Sequence, residues 1–155
     1  MKDKFGDLFT TNAKIIGHGV NCDGVMGAGI AKAFREQFPE NYRWYRSNCL
    51  QSSLHAGDAF VWRENDKMIM NFASQDRPGH HAKYPWLFSA LYNGASVLSR
   101  DGDLKGEYGT TIAIPEIGCG IGGLEWKKAA QVIQTVEAVL DNEIQFEVWH
   151  YDSTN

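Results

Sequence analysis

The sequence predicts an α/β domain of three layers, with helices on both faces of a mixed central sheet. Two observations lead there. Short apolar and β-branched runs of strand length alternate along the chain with longer segments of helical spacing. Two glycine-rich loops, residues 17–29 and 118–123, each follow a strand run and precede a helical pattern. In layered α/β folds such loops lie beyond the carboxyl ends of the strands, where ligands sit.

The elements follow in order. Residues 13–16 are a short apolar run, read as a buried strand ending at Gly17 and His18. Residues 30–38 read as a helix with Ile30, Ala33, Phe34 and Phe38 at helical spacing, ended by Pro39. Residues 42–49 add a further helical turn or two. Residues 59–62 and 68–72 are strand runs joined by the polar turn RENDK, a hairpin. Residues 86–98 carry apolar side chains at 87, 88, 91, 95 and 98, an amphipathic helix. The polar stretch SRDGDLKGEYG, residues 99–109, reads as a surface loop too short to divide the chain. Residues 110–114 form a β-branched strand closed by Pro115. Residues 124–140 are the longest helical pattern, with Ile133, Val136, Val139 and Leu140 on one side. Residues 144–150 make a last strand with Ile144, Phe146, Val148 and His150 on one face. With no repeat and no low-complexity segment, the expectation is a single domain over residues 1–155.

Bulk properties bound the function. The 155-residue chain has the size of one domain, and its five Trp, six Tyr and eight Phe supply ample area for a core. The formal charge is −4, and no Lys/Arg run is longer than Lys127-Lys128. This argues against a broad nucleic-acid surface, which depends on many phosphate-neutralising cations. An anionic ligand would therefore be held by backbone amides and dipoles. No signal-peptide core or membrane-length segment is present, and Cys22, Cys49 and Cys119 lack CxxC spacing. The expectation is a cytoplasmic protein, with no membrane contact and reduced thiols. The five histidines show no ligand spacing beyond the adjacent His80 and His81, so neither a metal nor another cofactor is expected. Nothing in the sequence demands more than a monomer.

The first loop, HGVNCDGVMGAGIAKAF, fails both common phosphate motifs. Gly24 and Gly29 have P-loop spacing, but Ile30 and Ala31 replace the lysine and hydroxyl residue. Gly27 and Gly29 begin a dinucleotide fingerprint, but Lys32 occupies its third position. The backbone argument survives: glycines let N–H groups approach a ligand, and the helix starting near Gly29 presents its positive end. The second loop, IGCGIGG, repeats the arrangement. Either loop alone is as well explained by a tight connection; together they favour a site that encloses a diphosphate.

GDLF near the start, HGVN with GAGIA, and PEIGCGIGGLEW, taken in that order and spacing, resemble the macro domain family, which binds ADP-ribose and its derivatives. The resemblance runs from Gly6 to about Tyr151 and implies the family's three-layer α/β/α fold. It further implies that Asp7, with Leu8 beside it, contacts the adenine amino group; a turn or cap is the plain alternative for Asp7. It places Asn21 on the distal ribose and Gly27, Ala28, Gly29 and Ile30 along the diphosphate and distal ribose. Gly118, Cys119, Gly120, Ile121 and Gly122 match the second phosphate loop, Cys119 as a small packing residue rather than a nucleophile. Phe146, Trp149 and His150 lie in the strand that flanks the adenine in the family.

The motif H…N-C-x-G-x-x-G-x-GIA is similar to a divergent branch containing ADP-ribose-1″-phosphate phosphatases and enzymes that remove ADP-ribose from glutamate or DNA bases. The de-ADP-ribosylating members use a lysine after the central strand, where this chain has Gln75. The glutamate-directed ones also use an aspartate in the second loop, where it has Gly122. Lys83 reaches the lysine's place only if the loop folds back. The phosphatase-like members carry a histidine at the position of His18. The resemblance therefore implies hydrolysis of the terminal phosphate of ADP-ribose-1″-phosphate as the first expectation. In it His18 is a general acid or base, Asn21 orients the ribose and Asp23 positions water. Ser74, Gln75, His80 and His81 supply possible loop contacts. The plain alternatives are a strand-end role for His18 and a solvated loop for His80 and His81. The other expectations are an ADP-ribosyl hydrolase, with ADP-ribosylated protein or nucleic acid as substrate, and a non-catalytic reader of ADP-ribose.

Overall fold

A computed structural model describes residues 1–151. The expected single domain reaches residue 155, so its last four positions lie outside the described residues. The strands are β1 (Lys2–Phe5), β2 (Ile15–Val20), β3 (Ala59–Glu64), β4 (Lys67–Ala73), β5 (Thr111–Ile114) and β6 (Gln145–His150). They form one six-stranded sheet in the order β1-β6-β5-β2-β4-β3. All neighbours are parallel except β3 and β4, which pair antiparallel. The helices are α1 (Gly29–Gln37), α2 (Pro39–Leu50), α3 (Tyr84–Arg100), α4 (Gly102–Tyr108) and α5 (Trp126–Val139). This is the mixed-sheet, helix-flanked α/β fold that the sequence predicts.

The two-residue period of the strands sorts the core into two faces. Ile15, Met70, Ile112 and Phe146 point to one, packed against Leu87, Leu91 and Ala95 of α3 and Ala129 and Ile133 of α5. Their neighbours Ile16, Ile69 and Ala113 point to the other, against Phe34 and Phe38. Tyr45 of α2 packs on that side with Val20, Met26 and Ala73. The β3–β4 hairpin closes through Asn65 and Asp66, both at positive φ (52° and 60°), which suits the right-handed twist of the flanking strands.

Four departures from the sequence reading have physical causes. Strand β2 continues through Gly17, His18 and Gly19 and pairs with β4 along its whole length. The stretch read as a surface loop contains helix α4. Asp101 caps it by accepting from the N–H groups of Asp103 and Leu104 (3.0 and 3.2 Å), and Tyr108 buries beneath it. Gly102 and Gly106 depress its local helix propensity, so tertiary packing decides its state. Strand β1, KDKF, has no apolar alternation to reveal it; its order comes from parallel pairing with β6. Helix α2 starts at Pro39 itself, where the missing proline N–H costs nothing, and the Glu64 carboxylate accepts from the N–H of Asn41 at 2.8 Å.

Because β1, β6, β5, β2 and β4 run parallel, their carboxyl ends share one edge of the sheet. The β2–α1, β4–α3 and β5–α5 loops therefore gather there side by side.

Candidate functional site

These three loops enclose a cleft of about 400 Å³. Asn21, Gly27, Ala28, Gly29 and Ile30 line it from the first loop. Gly118, Gly120, Ile121 and Gly122 line it from the β5–α5 loop, and Ser74 and Gln75 from the β4–α3 loop. Among the described residues Glu116 is the one charged residue in the lining, and neither lysine nor arginine lines it. Helix α1 opens toward it with Ala28 at its cap, which has no side chain to satisfy the first N–H groups. Those amides and the helix dipole make the opening attractive to an anion.

The β4–α3 loop ties the other two together. Its Asp76 carbonyl accepts from Cys22 N–H (3.1 Å), and Ala82 N–H donates to Gly122 O (3.2 Å). Gln75 folds back, its Nε2 donating to the carbonyls of Arg77 (2.7 Å) and Gly79 (3.2 Å). This places Gln75 against Gly122. A Cβ at residue 122 would lie 2.7 Å from the Gly118 carbonyl, 2.9 Å from Ala82 Cβ and 2.9 Å from Gln75 Oε1. Glycine is the side chain that fits this loop closure.

Asn21 organises the first loop. Its Oδ1 accepts from the N–H groups of Asp23 (3.0 Å) and Val25 (3.3 Å), while its Nδ2 donates to Val25 O (3.0 Å). Tyr45, which sequence reasoning did not single out, donates from its buried hydroxyl to Asn21, 2.7 Å from its carbonyl oxygen and 3.0 Å from Oδ1. A buried tyrosine in a helix otherwise reads as packing, so the sequence offered no signal beyond its apolar-face position.

His18 does not reach the cleft, and its expected acid–base role is corrected. It is fully buried on the α1 face, stacked on Phe34 with ring centroids 3.9 Å apart and planes 1° apart. Its Nε2 meets Asn71 Oδ1 at 2.9 Å; that oxygen also accepts from Asn41 Nδ2 (3.0 Å). Since Asn71 presents an acceptor, the Nε2–H tautomer is the one that bonds. Burial pulls the imidazole down to about 4, against a smaller opposing effect of the Asn71 bond. At neutral pH it is an uncharged core ring.

Several other predicted residues also stand away from the cleft lining. Asp7 caps a 3₁₀ turn (Leu8–Thr10), its Oδ1 accepting from Phe9 N–H at 2.9 Å, and Leu8 is buried in the core. Asp23 is exposed and enters the loop through its backbone. His80 lies against Gly123 and His81 against Gly79. Lys83 sits with Nζ 4.5 Å from the Trp86 ring centre rather than folding back. Phe146 is wholly in the core. His150 stands at the carboxyl end of β6, with Nε2 2.7 Å from Asp3 Oδ1, Nδ1 3.7 Å from Glu116 and its ring edge-on to Trp126. Cys119 packs on the core; burial, then Glu116, pushes its thiol up to about 11. Burial likewise pushes Cys22 up to about 12. Both shifts favour the protonated thiol over the nucleophilic thiolate.

The order of these loops on a mixed, mostly parallel sheet has a counterpart among known families, and a family model described as "Macro domain" matches residues 18–133. The chain belongs to the macro domain family. This macro domain is 29% identical over 151 residues to the DNA ADP-ribosyl glycohydrolase of Thermus aquaticus, covering 95% of the chain and 39% of that relative. It thus spans well under half of that relative's length. A shorter match, 43% identical over 47 residues, links 28% of the chain to 27% of the ADP-ribose 1''-phosphate phosphatase of Meyerozyma guilliermondii. Among solved structures, the macrodomain of Mycobacterium tuberculosis DarG superposes with a TM-score of 0.80 at 26% identity, covering 95% of this chain and 96% of that one. Among the described residues of this macro domain, no group of three His, Cys, Asp or Glu side chains converges as metal ligands would. No described helix is long and apolar enough to cross a membrane.

Proposed function

We infer that the cleft binds ADP-ribose or a derivative of it, and that binding does not lead to lysine-dependent removal of ADP-ribose from a macromolecule. The observation behind this reading is a cleft walled by glycine backbone, without a lysine or arginine, onto which the uncapped start of α1 opens. Such a surface suits a diphosphate held by N–H groups. On this reading Gly27, Ala28 and Gly29 face the diphosphate from one side and Gly118, Gly120 and Gly122 from the other, with Asn21 at the distal ribose. The nucleobase end extends along the same sheet edge toward Asp7 and His150, at the carboxyl ends of β1 and β6. Family membership and the glycohydrolase relatives support the ligand class.

The chemistry available in the cleft supports the restriction. Gln75 holds the place that the resemblance assigns to a nucleophilic lysine, and Gly122 has no room for the aspartate that accompanies it. Titration calorimetry with ADP-ribose tests the reading, and absence of heat at millimolar ligand would exclude it. A second reading, release of phosphate from ADP-ribose-1″-phosphate, draws on the short phosphatase match. Since His18 is interior, such a reaction would have Glu116 as its one carboxylate in the lining, with Asn21 orienting the ribose. Free-phosphate detection with that substrate, on the wild type and Glu116→Gln, separates an enzyme from a reader.

A further inference from the structure

We propose that Tyr45 is a positioning residue of the nucleotide site, setting the Asn21 side chain for recognition of the ligand's distal sugar. The proposal rests on the ADP-ribose reading of the cleft and names a residue that does not itself line it.

Asn21 is the point where the end of β2 turns into the first loop, and it lines the cleft with only its edge exposed. An Asn side chain has two acceptor sites on oxygen and two N–H donors. Here the oxygen faces three donors: Asp23 N–H, Val25 N–H and the Tyr45 hydroxyl. One N–H is spent on Val25 O. The second has no protein acceptor among the described residues, so it is what the side chain has left for a ligand hydroxyl. The two backbone N–H groups determine which way round the amide sits, because the opposite orientation would set donor against donor. They belong, however, to the same short loop as Asn21 and move with it.

Tyr45 is the anchor from outside that loop. It is completely buried on α2 among Val20, Met26, Leu54 and Ala73, and it bonds Asn21 through both its main-chain and side-chain oxygens. Burial pushes the phenol above its ordinary range, with Cys49 adding to the effect, so the hydroxyl keeps its proton and remains a donor. Its single proton is shared between the two oxygens, 2.7 Å from the carbonyl and 3.0 Å from Oδ1, and this bifurcated bond from a packed helix holds them together against the body of the domain. Removing it leaves the glycine walls, the α1 amides and the nucleobase end in place, but frees the turn at residues 21–25, with the Asn21 amide bonded within it, to shift relative to the body of the domain.

The test compares two ligands on the same protein: ADP-ribose, and ADP, which lacks the distal sugar. In Tyr45→Phe the affinity for ADP-ribose should fall about tenfold, the range expected for one misplaced hydrogen bond, while ADP stays within about twofold. Equal losses for both ligands would mean that the hydroxyl only supports the fold, and no loss for either would mean it positions nothing; each outcome overturns the proposal. Because Tyr45 acts through Asn21, adding Tyr45→Phe to Asn21→Ala should cost no further ADP-ribose affinity, and additive losses also overturn it. Incorporating 4-aminophenylalanine at position 45 keeps a donor and should retain ADP-ribose affinity. If Tyr45→Phe does not fold, that protein is compared with one carrying 4-fluorophenylalanine, which fills the site without a donor; equal ligand preference in the two would refute the proposal. Wild-type protein that binds neither ligand defeats the ADP-ribose reading itself, whereas wild type that binds with an indifferent variant defeats only the role of Tyr45.

Discussion

The buried histidine makes a quantitative prediction about acid stability. His18 has an ordinary value of 6.5 when the chain is unfolded and about 4 in the folded protein. Its folded value is depressed, so the native state is undisturbed above pH 6.5 and loses stability as pH falls from there toward 4, where the unfolded chain binds the proton more readily. At about 1.4 kcal/mol per unit, the full difference is about 3 kcal/mol, of which about 2 kcal/mol is already lost at pH 5. For a domain of this size that corresponds to a fall in Tm of about 4–8 °C between pH 7 and pH 5. The control is His18→Phe. It keeps a ring against Phe34, and Asn71 Oδ1 still accepts from Asn41, so no buried acceptor is orphaned. This variant should lose about 1 kcal/mol at pH 7 with the missing hydrogen bond, yet show a markedly flatter stability profile from pH 7 to pH 5. Urea melts of both proteins at half-unit pH steps measure the difference. Parallel profiles would refute the reasoning, as would an NMR titration in which the His18 ring protonates near its ordinary value.

Four other outcomes follow from the same structure. Asn21→Ala removes the acceptor of two loop amides, so ADP-ribose affinity should fall about tenfold or more in calorimetry, with about 1–2 kcal/mol of stability lost in denaturant melts. Gly122→Asp drives a Cβ against the Gly118 carbonyl, which cannot retreat as a side chain would; about 1–3 kcal/mol of destabilisation is expected, and a variant as stable as wild type contradicts the packing. Gln75→Lys supplies a lysine without the space at Gly122 for the aspartate of the glutamate-directed enzymes, so release of ADP-ribose from modified glutamate should stay at background. With no cation in the cleft, raising NaCl from about 50 to 500 mM should change the ADP-ribose affinity less than about threefold, since few ligand-facing side-chain charges are there to be screened.

The sequence revealed the long helices, the hairpin and both glycine loops because periodicity and glycine spacing report local geometry directly. Phe34, Leu91 and Ile133 lie on buried faces for the reason their spacing suggests. What escaped it depends on partners distant in the chain. Strand β1 is ordered by β6, some 145 positions away, and α4 by a cap and by core burial that outweigh its two glycines. His18 was the most instructive departure. A histidine next to a glycine loop has the composition of an active site, but the two-residue period of β2 turns residue 18 toward α1, into the layer shared with Phe34 and Asn71. Recognising that required knowing that the strand runs on through Gly17 and Gly19, and this extension comes from pairing with β4.

The same placement explains how the site is divided. The cleft presents glycine backbone and a single carboxylate, while the polar side chains with the most constrained partners, Tyr45, Asn71, Asn41 and His18, lie behind it on the α1–α2 face. Backbone amides bind an anion without a side chain to desolvate or reorient, but they do so only where the loop that carries them is held. The holding is done from below: Tyr45 fastens Asn21, and the β4–α3 loop ties the first loop to the second through Asp76 and Ala82. Gly122 can therefore be small and Gln75 can be spent on loop closure. An arrangement of this kind gives up charged side chains for a fixed backbone surface, and on the proposed reading it suits retention of ADP-ribose rather than its lysine-dependent release.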